Sequence, residues 1–516
     1  MFAEILSGLR ESLPAQLPSF LASQRWFGGK ARQILGVEIV DAIPIGSSEA
    51  KTMVLLVRVK YLEGAEETYS IPLVATKSDV VDSARTLELE NGSGLILRDA
   101  FSSQEFLTEL LDIAARQSRV PGELGQLAGG RSASFSELVS SAGATRPRLL
   151  TGEQSNSSVV YGDRLILKFF RRIEQGENPD LEIGRFLTDK VHFSHVPRIA
   201  GFLEYQSKQG EKATQAILQE FVPNQGDAWR YAVKTLAAFY ERLDDFGEAD
   251  LSAPECLPEF ASGPMARLLA EIGLLGKRTA ELHLALNSVG EDPAFAPEPF
   301  TMEFQNSLEA SFAELATRTL RLLRARLASV PGEYKEKSAE ISGREQDILR
   351  SFRTALTGPI DAMRIRVHGD YHLGQVLYTG SDFVIIDFEG EPARPLSERR
   401  GKQSPLQDVA GMLRSFHYAA FAPLFMPAAD RTFSRSQTAK IRRWAQAWSR
   451  CAGNRFLGQY YETSGAASYL PADPRARARL LEIYLLAKAI YELGYELNNR
   501  PGWVGIPLEG ISALLS

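Results

Sequence analysis

Cysteine is nearly absent: Cys256 and Cys451 are the only two in 516 residues. Two thiols in so long a chain supply neither a disulfide framework nor a metal-ligand cluster. No window holds about eighteen unbroken apolar residues, which excludes a transmembrane helix. The start, MFAEILSGLRESLP, has acidic Glu4 and no long apolar core, so it does not read as a signal peptide. An excess of positive charge is also missing. Lys and Arg number 58 against 64 Asp and Glu, and the net charge of −6 argues against a nucleic-acid surface. No internal repeat is visible. The rest is ordinary globular composition, 44% apolar and 24% charged, in a chain long enough for two or three domains.

What is present concentrates in one stretch, VHGDYHLGQVLYTGSDFVIIDFEGEP, residues 367–392. His368-Gly369-Asp370 follows the apolar Ile365 and Val367, and Gln375 comes five positions after Asp370. Asp387 and Glu389 then close the run Phe383-Val384-Ile385-Ile386, which is short and β-branched and reads as a buried strand. This spacing suits phosphoryl transfer. One carboxylate orients and deprotonates an acceptor hydroxyl, an amide a few residues on ligates magnesium, and an aspartate on the next strand bridges metal and phosphates. Protein kinases use H-R-D-x-x-x-x-N followed by D-F-G. Here Gln375 stands for the asparagine, and Asp387-Phe388 stands where D-F begins. Asp370 is thus the candidate base, and Gln375, Asp387 and Glu389 are the candidate Mg²⁺ ligands, all oxygen donors of the kind a hard cation takes. Any one of them alone would read as a turn cap or strand end; the set makes that alternative weak.

At these residues, HGDYHLGQVL with IDFEGEPARPLSERR and SPLQDVAGMLRSF, the chain resembles the bacterial maltokinases, within the wider aminoglycoside-phosphotransferase-like group. The resemblance runs along the whole chain and is most specific over 367–418. It implies an α+β, bilobal protein-kinase-like fold with a β-rich N-lobe, a mostly helical C-lobe and an N-terminal β-rich cap domain. The expected division is 1–90 cap, 91–222 intermediate segment and N-lobe, 223–516 C-lobe.

Residues 1–23 read as an amphipathic helix interrupted by Pro14 and Pro18. RWFGGKAR, 25–32, reads as a turn anchored by a buried indole. From Val37 to Val74 apolar alternation predicts three antiparallel strands with turns at Gly46-Ser47-Ser48 and Gly64. A Ser-capped helix is expected within 99–117, then a Gly/Ser-rich stretch, GELGQLAGGRSASF. In RPRLLTGEQSNSSVVYGDRLILKFFRR two apolar runs flank the turn Gly162-Asp163. The loop Gly152–Ser158, with Ser155, Asn156 and Ser157, would lie over nucleotide phosphates. It lacks G-x-G-x-x-G and is a weak signal alone. Lys168 follows three apolar residues, so its stem is buried and its amine needs a partner. In this fold that lysine pairs phosphates and a helix glutamate, for which Glu182 is the candidate. Two strands follow, 196–222, ending before Pro223-Asn224. There Glu220 and Val222 would offer backbone groups to adenine, as in kinase hinges. Helical periodicity then covers 228–245, 264–289 and 302–328. His283 reads as a packed helix residue, the arginines between 318 and 326 as a wet face, and Asp408 as a helix-start carboxylate tying down the catalytic loop.

Near the end Lys488, Tyr491, Glu492 and Tyr495 share one helix face. An amine, two phenols and a carboxylate suit a sugar, although a partly buried Lys–Glu pair is the plainer reading. The resemblance implies that this K-A-x-Y-E-x-x-Y face, with His368 and Asp370, binds the disaccharide. The expectation is an ATP- and Mg²⁺-dependent cytoplasmic kinase acting on the anomeric hydroxyl of maltose in α-glucan (glycogen) metabolism. It would work as a monomer or homodimer without nucleic-acid or membrane partners. Two alternatives stay open: a kinase for another acceptor, such as glucosamine or an aminoglycoside, and an inactive kinase-like sensor of sugar or nucleotide.

Overall fold

In the computed structural model the described residues are 2–46, 52–76, 87–88, 96–140, 146–150, 155–245, 260, 262–288, 292–426 and 433–515. The chain divides into two compact units, Met1–Pro223 and Asn224–Ser516.

The first unit opens with α1 (Phe2–Ser23), an unbroken helix with Pro14 and Pro18 inside it. The expected interruption is absent because Leu13, Leu17, Phe20 and Leu21 are buried and hold the proline-bearing turns against the first sheet. That sheet contains β1 (Ile34–Ile45), β2 (Thr52–Tyr61), β3 (Glu67–Thr76), β4 (Leu87–Glu88) and β5 (Ile96–Asp99), in the order β1-β2-β3-β5-β4. The three alternating runs became its three long strands. After α2 (Gln104–Arg116), capped by Ser103, come β6 (Arg119–Pro121) and β7 (Gly125–Arg131). β7 is the Gly/Ser-rich stretch, and it is a strand. Glycine is depleted in strands, but a Cβ on Gly129 would fall 1.9 Å from the Ile113 carbonyl of α2. The composition that hid the strand is what lets the helix press on it.

The second sheet continues with β8 (Arg148–Leu149), β9 (Asn156–Tyr161) and β10 (Leu165–Phe170). After the short β11 (Arg172–Ile173) it is completed by β12 (Ile199–Ser207) and β13 (Lys212–Glu220), in the order β6-β7-β12-β13-β10-β9-β8. Gly162 and Asp163 both have positive φ, 58° and 51°, the geometry of a tight hairpin between β9 and β10. The two sheets are one body. β11 pairs with β3, and Ile43, Val54 and Leu56 of the first sheet share a buried cluster with Leu167, Phe169 and Leu203 of the second. α3 (Phe135–Ser140) and α4 (Pro179–Arg185) complete the unit.

The second unit is mostly helical. Its helices are α5 (Ala228–Tyr240), α6 (Gly263–Leu286), α7 (Met302–Ala325), α8 (Lys335–Gly343), α9 (Glu345–Ala355), α10 (Leu396–Arg399), α11 (Leu406–Phe425), α12 (Arg435–Ser464), α13 (Pro474–Asn499) and α14 (Gly505–Leu514). The pair β14 (Glu298–Pro299) and β15 (Met363–Arg364) leads into the 367–392 stretch, and β16 (Val376–Tyr378) and β17 (Phe383–Ile385) form a hairpin within it. α6 packs on α12, and α11 lies among α5, α12 and α13. No described helix is long and apolar enough to cross a membrane.

Candidate active site

The loop after β15 is suspended from α11. Asp408, fully buried in the first turn of that helix, accepts the amides of His368 (2.8 Å) and Gly369 (2.9 Å). Its other neighbour is His283 of α6, which donates from Nε2 at 3.2 Å and accepts the Tyr460 hydroxyl at Nδ1, 2.9 Å. Burial works to raise the Asp408 pKa, but the His283 bond, the nearby imidazoles and the Gly369 amide outweigh it and leave the carboxyl below its usual range. The structural roles expected of Asp408 and His283 are the ones seen. Gly369 sits at φ +85°, and its α-carbon faces Gly390, where an added Cβ would stand 3.2 Å from the neighbouring Cα.

His368 corrects an expectation. It does not reach toward a substrate: it is 1% exposed, Nε2–H donates to the Ile386 carbonyl (2.9 Å), and Nδ1 faces the Asp370 amide (3.4 Å). Packed on Phe388 at 4.9 Å, it ties the Asp370 loop to the end of the β16–β17 hairpin. Asp370 is left partly open, with its side chain 25% exposed.

The amide and carboxylate spaced twelve apart meet. Gln375 Nε2 donates to Asp387 Oδ2 at 2.9 Å. Asp387 itself has φ +70°, a left-handed conformation unusual outside glycine and common where a site imposes it. One oxygen of Asp387 and one of Glu389 lie within 4.8 Å of each other. Oxygen donors of two carboxylates and an amide, with no thiolate or imidazole among them, fit a hard divalent cation.

α13 brings its polar face to Asp370. Lys488 Nζ lies 3.4 Å from Asp370 Oδ1 and 4.8 Å above the Tyr491 ring. Burial pushes the Lys488 pKa down, but Asp370, Glu391 and Glu492 more than offset this and hold the ammonium above its ordinary range. Burial first, then Glu391 to which it is hydrogen-bonded, raises the Tyr491 phenol. Glu492 is held by Arg414 of α11 through Nε (2.8 Å) and Nη2 (2.6 Å). Tyr495 stands at the exposed end of the face, 47% accessible, against Arg500. Glu391 and Arg414 were passed over in the sequence. Glu391 lay in plain sight two residues after Glu389, whereas no local pattern marks Arg414.

In the first unit Lys168 is 3.1 Å from Asp180 Oδ2, and the two side chains are 13% and 1% exposed. Asp180 had no place in the sequence reading, which named Glu182. Glu182, two residues on in the same helix, is also buried. The register of β9 makes a second correction. Lys168 is opposite Ser158, and Phe169 is opposite Ser157. Ser157 therefore shares a face with Phe169, where its hydroxyl accepts Arg171 Nε at 2.8 Å. It supports the strand and does not face the Lys168 side, which Asn156 and Ser158 share. Arg171 also donates to Asp99 (2.7 Å) and lies 4.8 Å over Trp26. In RWFGGKAR the buried ring is Phe27, 3% exposed, while Trp26 is half-buried over that guanidinium. At the end of β13 the Glu220 amide donates to the Arg198 carbonyl (2.8 Å) and its carboxylate pairs with Arg198, so that N–H is spent inside the sheet. Ser155 and Val222 lie at the strand ends, and Gly152–Gln154 fall outside the described residues.

Fold and site together define a kinase-like phosphotransferase with an N-terminal cap. The family model described as the maltokinase N-terminal cap domain matches residues 20–101. Among curated proteins the chain is similar to a glucosamine kinase of Streptacidiphilus jiangxiensis, 27% identical over 73% of this chain and 75% of that one. A glucosamine kinase of Mycolicibacterium smegmatis is 26% identical over 71% and 79%. Among solved structures, a glucosamine kinase in complex with glucosamine, ADP and inorganic phosphate aligns with TM-score 0.58 at 22% identity, covering 93% of this chain and 94% of that one. Another crystal form aligns with TM-score 0.61 at 21% identity, covering 96% and 97%. These matches support a maltokinase-like kinase family, as the resemblance over 367–418 implied.

Proposed function

We propose that the chain is an ATP-dependent sugar kinase that phosphorylates the anomeric hydroxyl of maltose, giving maltose 1-phosphate. The observation that carries the reading is the approach of the α13 face to the candidate base, with Lys488 3.4 Å from Asp370. A sugar hydroxyl held by Lys488, Tyr491 and Glu492 would meet the carboxylate that takes its proton. Asp370 orients the hydroxyl and accepts that proton as the hydroxyl oxygen bonds the γ-phosphorus, the bond from that phosphorus to the β–γ bridging oxygen breaks and ADP leaves. Lys168, with its charge oriented by Asp180, binds nucleotide phosphates. Gln375, Asp387 and Glu389 would hold Mg²⁺, which when bound neutralises charge on the phosphates. Since phosphoryl transfer depends chiefly on positioning and charge neutralisation, these groups need only be correctly placed. ATP use is supported by the ADP in the related glucosamine kinase complex; a reaction that consumes ATP fits the cytoplasm, where ATP is found.

A second reading is favoured by the relatives' names: glucosamine as acceptor. Asp370, Glu391 and Glu492 around Lys488 would tolerate an amino sugar, whereas the ammonium itself disfavours a second cation. The deciding experiment incubates purified protein with ATP and Mg²⁺ against maltose, glucose, glucosamine and an aminoglycoside. Phosphorus NMR then reads the product. Maltose 1-phosphate is expected; phosphorylation of glucosamine with maltose inert would replace the first reading by the second. No ADP release with any acceptor would sink both and leave a sensor.

A further inference from the structure

We propose that Arg414 is the positioning residue of the acceptor site, acting through Glu492; this rests on the sugar-kinase reading above. Arg414 is 4% exposed, and both of its contacts to Glu492 fall on the same oxygen, Oε2. The second oxygen, Oε1, accepts no hydrogen bond from the described residues, and the Glu492 side chain keeps 13% exposure. The guanidinium therefore fixes the carboxylate with one oxygen occupied and one available to a hydroxyl.

The guanidinium is itself confined. Gly510 of α14 lies so near that a Cβ there would stand 2.2 Å from Arg414 Nη1, and the Tyr418 ring centroid is 5.7 Å away. A buried, planar, always-charged fork on one carboxylate oxygen is a rigid support that a flexible lysine would not reproduce. Its helix matters as much as its charge. α11 carries Asp408, which suspends the His368-Gly369-Asp370 loop, and six residues on it carries Arg414, which holds α13's carboxylate. One helix thus sets the base and the acceptor carboxylate relative to each other. Arg414 touches no reacting atom in this scheme. Its effect belongs in acceptor binding, not in nucleotide binding.

The test is a double-mutant cycle in the full-length protein with Arg414→Met and Glu492→Gln, read as KM for sugar and KM for ATP. Loss of a hydrogen bond to a charged group predicts a rise of about tenfold or more in sugar KM for either single variant, with ATP KM changed less than about twofold. The double variant is expected to be no worse than Glu492→Gln alone, because the arginine works through that carboxylate. Arg414→Lys, which retains the charge, carries the test if Arg414→Met does not fold; its sugar KM should rise alone. Additive effects in the cycle, an unchanged sugar KM, or equal rises in both KM values would overturn the proposal. If the wild-type protein phosphorylates no sugar, the sugar-kinase reading fails instead, and that outcome is visible before any variant is made.

Discussion

Asp370 is the residue on which the proposed mechanism turns. Its carboxylate is partly open and its partner is Lys488. Asp370→Ala is expected to lower kcat by about 100-fold or more, the usual worth of a general base. Circular dichroism should show the fold retained, and an active alanine variant would end the assignment. Asp408 is the opposite case. Its pKa is depressed in the folded state, so the unfolded chain binds the proton first. Its contribution is whole above the unfolded aspartate value, about 3.9, and is lost as pH falls through the lower folded value. Asp408→Asn should therefore lower stability at neutral pH and flatten the decline below about pH 4. Urea midpoints from pH 3 to 7 would check this, and an unchanged acid limb would refute it. Alternation and helical spacing single out the candidate residues, but His368 and Ser157 turn elsewhere than the sequence implies. Side-chain type does not say which way a strand or loop turns it, and only the register with Phe169 and the Ile386 carbonyl does.

At the scale of elements, local rules worked where β-branched runs and a capping serine agree with the packing; β2, buried on both faces, is such a run. β1, β2, β3 and the Ser103-capped helix follow their patterns. They failed where packing overrides propensity: two prolines ride inside α1, and the glycine-rich β7 is a strand because α2 needs its empty side. The loop carrying Asp370 is the most demanding element. Gly369 combines φ +85° with a Gly390 backbone in contact range. Gly369→Ala should destabilise by about 1–2 kcal/mol and reduce kcat, because the strain is relieved by moving the adjacent base. Thermal unfolding together with kcat would show it; a variant with both values unaltered would mean the loop is softer than its geometry implies.

For the whole molecule, the cap is part of the first unit's structure. β11 joins β3, and Arg171, 2% exposed, bridges Asp99 of the first sheet and Ser157 of the second. Arg171→Met, which keeps the stem but removes the fork, is expected to cost about 2–3 kcal/mol. Urea unfolding should register that as a lower midpoint, and a neutral result would show that the shared apolar core alone holds the sheets together.

The chain's own order of residues was enough to identify the oxygen-donor set at 370–389, the polar face of α13, the β-rich start and the helical end, because spacing along a strand or helix is a local property. The pairings were decided by tertiary structure: Asp180 beside Lys168, Arg414 beneath Glu492, Glu391 against Tyr491. Each joins residues from elements whose mutual register depends on how the whole core packs, and no periodicity within one element encodes that.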